Sequence, residues 1–208
     1  MQEDREVAQK LSQICARVEK MLDTTIDGFV HHSLKKIEEA EGLGEDSLKD
    51  GEELIASMTN AADVTKEEKE KLKALVAATS HLERAVEAIK GMFPHMRTKI
   101  NEEILFSDRA IGEMKYLFEN TREVVKSAGD TFLTRNQFLM ERVLEKGVLL
   151  NEIADSYALS HEDRLIAGVC MPKSSPLYIN ILECIVRVNW HTTMAIKKFF
   201  FFKETPEA

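Results

Sequence analysis

The stretch that decides the fold is His161-Glu-Asp-Arg-Leu-Ile-Ala-Gly-Val-Cys170, followed by Ile185-Val-Arg-Val-Asn-Trp-His-Thr-Thr193. Ser160 and Asp163 have the spacing of a capping box and predict a short helix that begins there. A proline-containing loop follows, and Pro176 suits the first turn of a last helix, from about residue 177 to about residue 201. Two helices joined by a loop are therefore predicted for this part of the chain.

Working outward, apolar residues recur at three- and four-residue steps along most of the remaining sequence, which is typical of amphipathic helices. Thr65 and Glu68 form a second capping-box pattern, which predicts the start of a helix. Gly42-Leu-Gly44, Pro94 and Gly129-Asp130 are predicted to end helices. The pattern predicts further helices at about residues 3–41, 46–58, 66–93, 101–126 and 130–157.

Composition agrees with an all-α protein. The 208 residues are 44% hydrophobic and 31% charged, with only nine Gly and four Pro, which is too few for a turn-rich β protein. The net charge of −8 disfavours nucleic acid and anionic membranes as partners. Three widely spaced cysteines indicate reduced thiols, and we expect a cytoplasmic chain with no membrane span.

Six main helices form two sets of three, and a short string is shared between the sets. Residues 82–87 and 185–190 both follow the pattern apolar, any residue, Arg, apolar, and each lies in the third helix of its set. This correspondence predicts a duplicated three-helix unit.

Residues 161–193 resemble the end of a PhoU-type domain, where a helix closing on H-x-x-R-L-x-x-G-x-C leads into a helix bearing L-E-R-I-A-D-H-A-T. The resemblance implies an all-α fold of two tandem three-helix bundles with antiparallel helices, divided into residues 1–97 and 98–208. It also implies a non-catalytic regulator of phosphate transport or phosphate signalling that binds a phosphate transporter or a sensor kinase. The H-x-x-R-L-x-x-G-x-C segment is most similar to the soluble cytoplasmic tails of sodium–phosphate cotransporters.

The same resemblance places a partial metal site in the first repeat. Glu83 and Glu87 stand at the family's Glu and Asp positions, and carboxylates four residues apart share a helix face. They would hold a divalent or trivalent ion such as iron, zinc or magnesium. Without the resemblance, the same carboxylates beside Arg84 also fit a solvated surface. In the second repeat Val186 and Trp190 replace the acids, and we expect the indole to close that face by packing.

The remaining polar residues are interpreted structurally. His191 has no acidic neighbour at ligand spacing, and His161 and Arg164 are expected to pack and cap a helix end. No glycine-rich phosphate loop or assembled acid, base and nucleophile occurs, so we expect no enzyme. The alternative function is a structural helical module, such as a dimerising scaffold, with no metal or phosphate role. A homodimer is compatible with either function.

Overall fold

A computed structural model describes residues 2–59 and 65–200. They form seven α-helices and one 3-10 turn, Pro172–Ser174. The helices are α1 Gln2–Val30, α2 Leu34–Thr59, α3 Lys66–Lys90, α4 Phe93–Asn101, α5 Asp108–Thr134, α6 Gln137–Ile166 and α7 Ser175–Phe200. Six of these helices are long, as the sequence predicts, and α4 is a short addition.

The prediction of one long first helix ending at Gly42-Leu-Gly44 is wrong. The chain turns at residues 31–33, where His32 has a φ of 53°, and α2 begins at Leu34. Gly44 lies inside α2, and a Cβ atom built there would be 2.8 Å from Cε of Met21. Gly44 therefore permits close packing of α2 on α1. In the sequence, a glycine required for close packing looks the same as a glycine that ends a helix.

The other two predicted helix ends have different outcomes. Helix α3 ends at Lys90, shortly before Pro94, as predicted, but Pro94 itself is the second residue of α4, where its missing N–H costs no hydrogen bond. The predicted helix end at Gly129 is wrong. Gly129 lies inside α5, and a Cβ atom built there would be 3.1 Å from Cβ of Cys15 in α1. Helix α5 instead begins after the cap Ser107 and ends at Thr134, and the capping residue Arg135 has a φ of 51°.

Of three helix starts predicted from the sequence, those of α3 and α7 are confirmed and the one at Ser160 is wrong. The capping box at Thr65 is confirmed, because Thr65 Oγ1 accepts from Glu68 N at 3.3 Å and Thr65 N donates to Glu68 Oε2 at 2.8 Å. Ser160 does not open a new helix, since α6 continues through it to Ile166. Pro176 lies in the first turn of α7, as predicted.

The long helices pack as two antiparallel triplets, α1–α2–α3 and α5–α6–α7, which meet through α1 against α5 and α3 against α7. In α3 and α7, His81 contacts His191, while Cys184 lies near Gly91, so these helices run antiparallel. One continuous set of buried apolar side chains links both triplets. The division at residues 97 and 98 stays a prediction. None of the helices within residues 2–59 and 65–200 is long and apolar enough to cross a membrane.

Candidate functional site

The crossing of α3 and α7 brings two histidines together. His81 Nδ1 lies 3.1 Å from His191 Nδ1, and His81 is buried while His191 is half-buried. Burial is the main cause that lowers the pKa of both rings, and nearby Arg84 lowers both further. For His191 the result is a pKa of about 4, to which His81 also contributes. Both rings are therefore neutral near pH 7, and one can donate to the other.

Trp190 lies beside this pair but does not close the face. Its ring centroid is 5.6 Å from that of His81 and 4.7 Å from that of His191. The side chain remains 47% exposed, so the expectation that the indole is buried as packing is wrong. The reason is that the inward positions of this turn are taken by Val188 and Asn189, both fully buried.

Glu83 faces a different helix from His81. A Cβ atom built on Gly51 of α2 would be 2.6 Å from Glu83 Oε1, so the carboxylate lies directly on the glycine. Burial is the main cause that raises the pKa of Glu83, and Glu52 of α2 raises it further. The structure thus gives Glu83 an acidic neighbour from another helix.

Glu87 is exposed and makes an ion pair with Lys90 at 3.3 Å. The sequence-predicted pair therefore has one half-buried member and one member engaged with a cation. Among residues 2–59 and 65–200, no three His, Cys, Asp or Glu side chains are grouped closely enough to hold a metal ion together. Metal binding at Glu83 and Glu87 stays a prediction.

A second polar cluster explains the motif around residues 161–170. Arg164 donates to both carboxylate oxygens of Glu113, at 2.9 and 2.8 Å, and Tyr178 Oη donates to Glu113 Oε2 at 2.6 Å. Arg109 Nε donates to the same carboxylate at 3.1 Å. Burial raises the pKa of Glu113, but the hydrogen bonds from Arg164 and Tyr178 outweigh it and leave the pKa lowered. Arg164 therefore joins α6 to α5 and α7 and does not cap its own helix.

The rest of the motif fixes the end of α6. Gly168 has a φ of 69°, a conformation that favours glycine. This turn lets Val169 N and Cys170 N donate to the carbonyl of Arg164, at 2.9 and 3.3 Å. His161 stacks on Tyr178 with ring centroids 4.5 Å apart. The expectation that His161 packs at this helix end is confirmed.

A buried lysine lies near this cluster. Lys99 is 2% exposed, and its Nζ contacts His32 Nε2 at 2.5 Å. The same Nζ lies 5.2 Å from the ring of Phe29 and 5.4 Å from the ring of Phe106. Burial lowers the pKa of Lys99. The ammonium is therefore held by an imidazole and two aromatic faces, with no carboxylate within 4.0 Å in the part of the chain that the structure describes.

No protein-family model matches the chain, and no curated protein matches it. Among solved structures, PhoU from Pseudomonas aeruginosa superposes with a TM-score of 0.77 at 12% identity, covering 95% of both chains. A PhoU-like phosphate regulatory protein from Shewanella oneidensis superposes with a TM-score of 0.64 at 10% identity, also covering 95% of both chains. The chain therefore has a PhoU-like fold.

Sequence reasoning missed Glu52, Glu113 and Lys99. The sequence holds one indirect signal for Glu113, because Arg164 belongs to the motif at residues 161–170 and a buried arginine needs a carboxylate partner. Glu52 and Lys99 carried no comparable signal. Their surroundings depend on which helices pack together, which the sequence pattern does not specify.

Proposed function

We propose that this chain is a non-catalytic regulator of phosphate transport or phosphate signalling that acts by binding a phosphate transporter or a sensor kinase. The observation that carries the proposal is the superposition on PhoU from Pseudomonas aeruginosa over 95% of both chains. A fold alone does not fix a function, so the sequence motif at residues 161–193 is the second support. Protein recognition also suits a surface with several exposed apolar side chains, such as Phe138, Leu149 and Leu159.

A cation site at Glu83 and Glu87 is part of the proposal. Burial and the like charge of Glu52 raise the pKa of Glu83, and a bound cation would relieve this repulsion. Glu87 can leave Lys90 at little cost, because exposed ion pairs contribute about 0–1 kcal/mol. Iron, zinc or magnesium would then complete its shell with water.

The regulatory function is tested by deleting the gene in its own host. We expect phosphate uptake, or the expression of phosphate-starvation genes, to change on deletion and to return with the wild-type gene. A deletion strain with wild-type uptake and wild-type expression at both high and low phosphate would reject the function.

The cation site is tested separately by elemental analysis of the purified chain. We expect the Glu83→Gln and Glu87→Gln variants to lose the metal that the wild type retains. Glu53→Gln is a matched control, because Glu53 is an exposed carboxylate on α2. Wild-type protein without metal, or variants with unchanged metal, would reject this site.

The alternative is a dimerising scaffold with no metal or phosphate role, and the exposed apolar residues of α6 are the observation that favours it. A mass measurement in solution gives the oligomeric state. It separates the two functions only when it is combined with the phosphate phenotype of the deletion strain. A stable dimer from a gene whose deletion leaves phosphate uptake unchanged would favour the scaffold.

A further inference from the structure

An exposed tryptophan lies among basic side chains where α3 and α7 pack together. Trp190 is 47% exposed. Along α7, basic residues stand one turn before it and two turns after it, which is the spacing of a single helix face. Helix α3 adds an arginine one turn from His81, which contacts His191 beside the indole. We call this surface the cationic face, and it consists of Trp190, Met194, Arg84, Arg187, Lys197 and Lys198.

The basic residues of the cationic face converge on the histidine pair beneath the indole. Burial is the main cause that lowers the pKa of both histidines, and Arg84 lowers both further. Arg187 also lowers the pKa of His191. Lys198 has the same effect on His81. Cations from two helices therefore act on one small area, and both imidazoles stay neutral there near pH 7.

The chain's own carboxylates leave this positive charge largely unpaired. Glu87 lies one turn beyond Arg84, but it pairs with Lys90 at 3.3 Å. Glu183 lies one turn before Arg187, whose guanidinium donates to a thiol instead, at 2.9 Å. Among residues 2–59 and 65–200, none of the four basic residues of the cationic face makes an ion pair, and all four are exposed. Their charges are therefore available to a ligand.

The indole is positioned by the histidine pair. Its ring plane lies at 73° to that of His81 and at 80° to that of His191, so both contacts are edge-to-face. An anchor that is already positioned loses little conformational freedom on binding. Tryptophan, methionine and arginine are the residue types enriched in protein–protein interfaces. The composition of the cationic face therefore favours a protein as its ligand.

We propose that the cationic face binds an acidic segment of a partner protein, with Trp190 as the apolar anchor and the basic residues paired with the partner's carboxylates. The net charge of −8 selects a short segment over an extended polyanion. A nucleic acid or an anionic bilayer would also face the negative charge of the rest of the chain. A free inorganic anion would leave the indole exposed, whereas a protein segment buries it. This inference names the surface by which the regulator holds its partner, and it rests on the proposed function.

Selection from a random library of short peptides on the purified chain tests this chemistry without knowing the partner. Peptides that also bind the double variant Arg84→Glu/Arg187→Glu are discarded. Both arginines are exposed, so the double variant should fold as the wild type does. We expect the remaining peptides to combine Asp or Glu with an apolar residue. If no peptide remains, or if the remaining peptides lack a net negative charge, the inference is overturned.

Single variants locate the binding of a selected peptide that contains no tryptophan. Burial of Trp190, the single tryptophan, should shift its emission to the blue, and added salt should weaken binding. By calorimetry, we expect Arg187→Glu to weaken binding at least about tenfold and Trp190→Ala about thirtyfold. Unchanged affinity in both variants would place the peptide elsewhere and reject the cationic face.

The matched control lies on α6. Arg142 is an exposed arginine whose guanidinium carbon lies 5.9 Å from the ring centre of Phe138, which is also exposed. Arg142→Glu makes the same change of charge outside the cationic face and should bind the peptide as the wild type does. A loss in Arg142→Glu as large as that in Arg187→Glu would show that only the net charge matters, and it would reject the site.

Phosphatidylglycerol vesicles and duplex DNA are the competing anionic ligands. We expect both to bind the wild type more weakly than the selected peptide does, because the whole chain is negatively charged. Tighter binding of either ligand that is lost in Arg84→Glu/Arg187→Glu would overturn the choice of an acidic protein segment.

In the host, a photo-crosslinking residue at position 190 captures the partner, and the same residue at position 138 is the control. We expect the crosslink from position 190 to map to an acidic segment. Lysine in place of the acidic residues of that segment should restore its binding to Arg84→Glu/Arg187→Glu. A mapped segment without acidic residues, or no restoration, would overturn the inference. Because the peptide selection needs no phosphate phenotype, it can fail while the deletion strain supports the proposed function, or succeed while the deletion strain rejects it.

Discussion

Arg164 donates two parallel hydrogen bonds to Glu113, a residue 51 positions earlier in the chain. Both side chains are buried, with 10% and 6% of their surfaces exposed. The pair ties the end of α6 to the start of α5, and Tyr178 brings in α7 through the same carboxylate. One ion pair therefore joins all three helices of the second triplet.

We expect loss of either member of this pair to be costly. Glu113→Gln and Arg164→Met each leave a buried charge without its partner, which costs about 3–5 kcal/mol of unfolding free energy. The double variant Glu113→Gln/Arg164→Met leaves neither charge and should lose less than the sum of the two single changes. Urea denaturation of the four proteins measures this double-mutant cycle.

The matched control for the ion pair uses the same two helices. Lys146 pairs with Glu123, and their side chains are 32% and 59% exposed. Glu123→Gln should cost less than about 1 kcal/mol. Additive effects of the Glu113 and Arg164 substitutions, or a cost at Glu123 as large as that at Glu113, would contradict the role given to the buried pair.

The histidine pair predicts a pH dependence of stability. Because the folded pKa values of His81 and His191 lie below the ordinary value of 6.5, the unfolded chain binds more protons as the pH falls. Their contribution to stability is complete above about pH 6.5. It decreases as the pH falls toward 4, the folded pKa of His191. Urea denaturation between pH 7.5 and pH 4.5 measures this loss, and Trp190, the single tryptophan, reports it by fluorescence.

Two variants show whether His81 and His191 cause this change of unfolding free energy with pH. The double variant His81→Gln/His191→Gln should flatten the curve between about pH 6.5 and pH 4.5, since glutamine binds no proton in that range. Trp190→Phe keeps both histidines and should retain the slope, with unfolding followed by circular dichroism. If the double variant and the wild type lose stability in parallel, other groups produce the dependence.

We expect the replacement of Lys99 by an uncharged side chain to raise the free energy of unfolding. Lys99→Met keeps a long flexible side chain and removes a buried ammonium that has no carboxylate beside it, so we expect a gain of about 1–2 kcal/mol at pH 7. The lowered pKa of Lys99 also means that wild-type stability rises with pH toward the ordinary value of 10.5. Thermal unfolding from pH 7 to pH 10 should show this rise in the wild type and a smaller rise in Lys99→Met. A variant less stable than the wild type at pH 7 would show that the His32 and aromatic contacts outweigh desolvation.

Two helical glycines should respond in opposite directions to alanine. A Cβ atom on Gly147 of α6 would collide with Cγ2 of Thr193, a β-branched side chain that packs on α6. Gly147→Ala should therefore cost about 1–3 kcal/mol. Gly42 of α2 has no atom within 4 Å of such a Cβ, and Gly42→Ala should stabilise by about 0.5–1 kcal/mol. Urea denaturation checks both, and a stabilising Gly147→Ala would show that α6 and α7 are not as close as described.

The two triplets differ in the residues at the positions that the sequence predicts to be equivalent. In the first, Glu83 lies on Gly51 beside Glu52, while in the second, Trp190 stands exposed near His81 and His191. The proposed cation site therefore lies in the first triplet. The second triplet instead presents the exposed indole of Trp190.

The sequence by itself determined the all-α class, the six long helices and the capping box at Thr65. These features follow from local spacing and from side chains three residues apart, which short segments already contain. It also singled out His161, Arg164, Gly168 and Cys170, although it assigned no partner to Arg164.

Only the tertiary structure decided where the helices end and which polar groups meet. Gly44 and Gly129 have the local pattern of helix ends, yet each lies inside a helix. A glycine occupies each position because a neighbouring helix packs where a Cβ atom would be. Glu113 and Arg164, like His81 and His191, become neighbours only when distant helices pack. Such contacts depend on the register between helices, and that register is set by the fit of whole apolar faces, which no local pattern encodes.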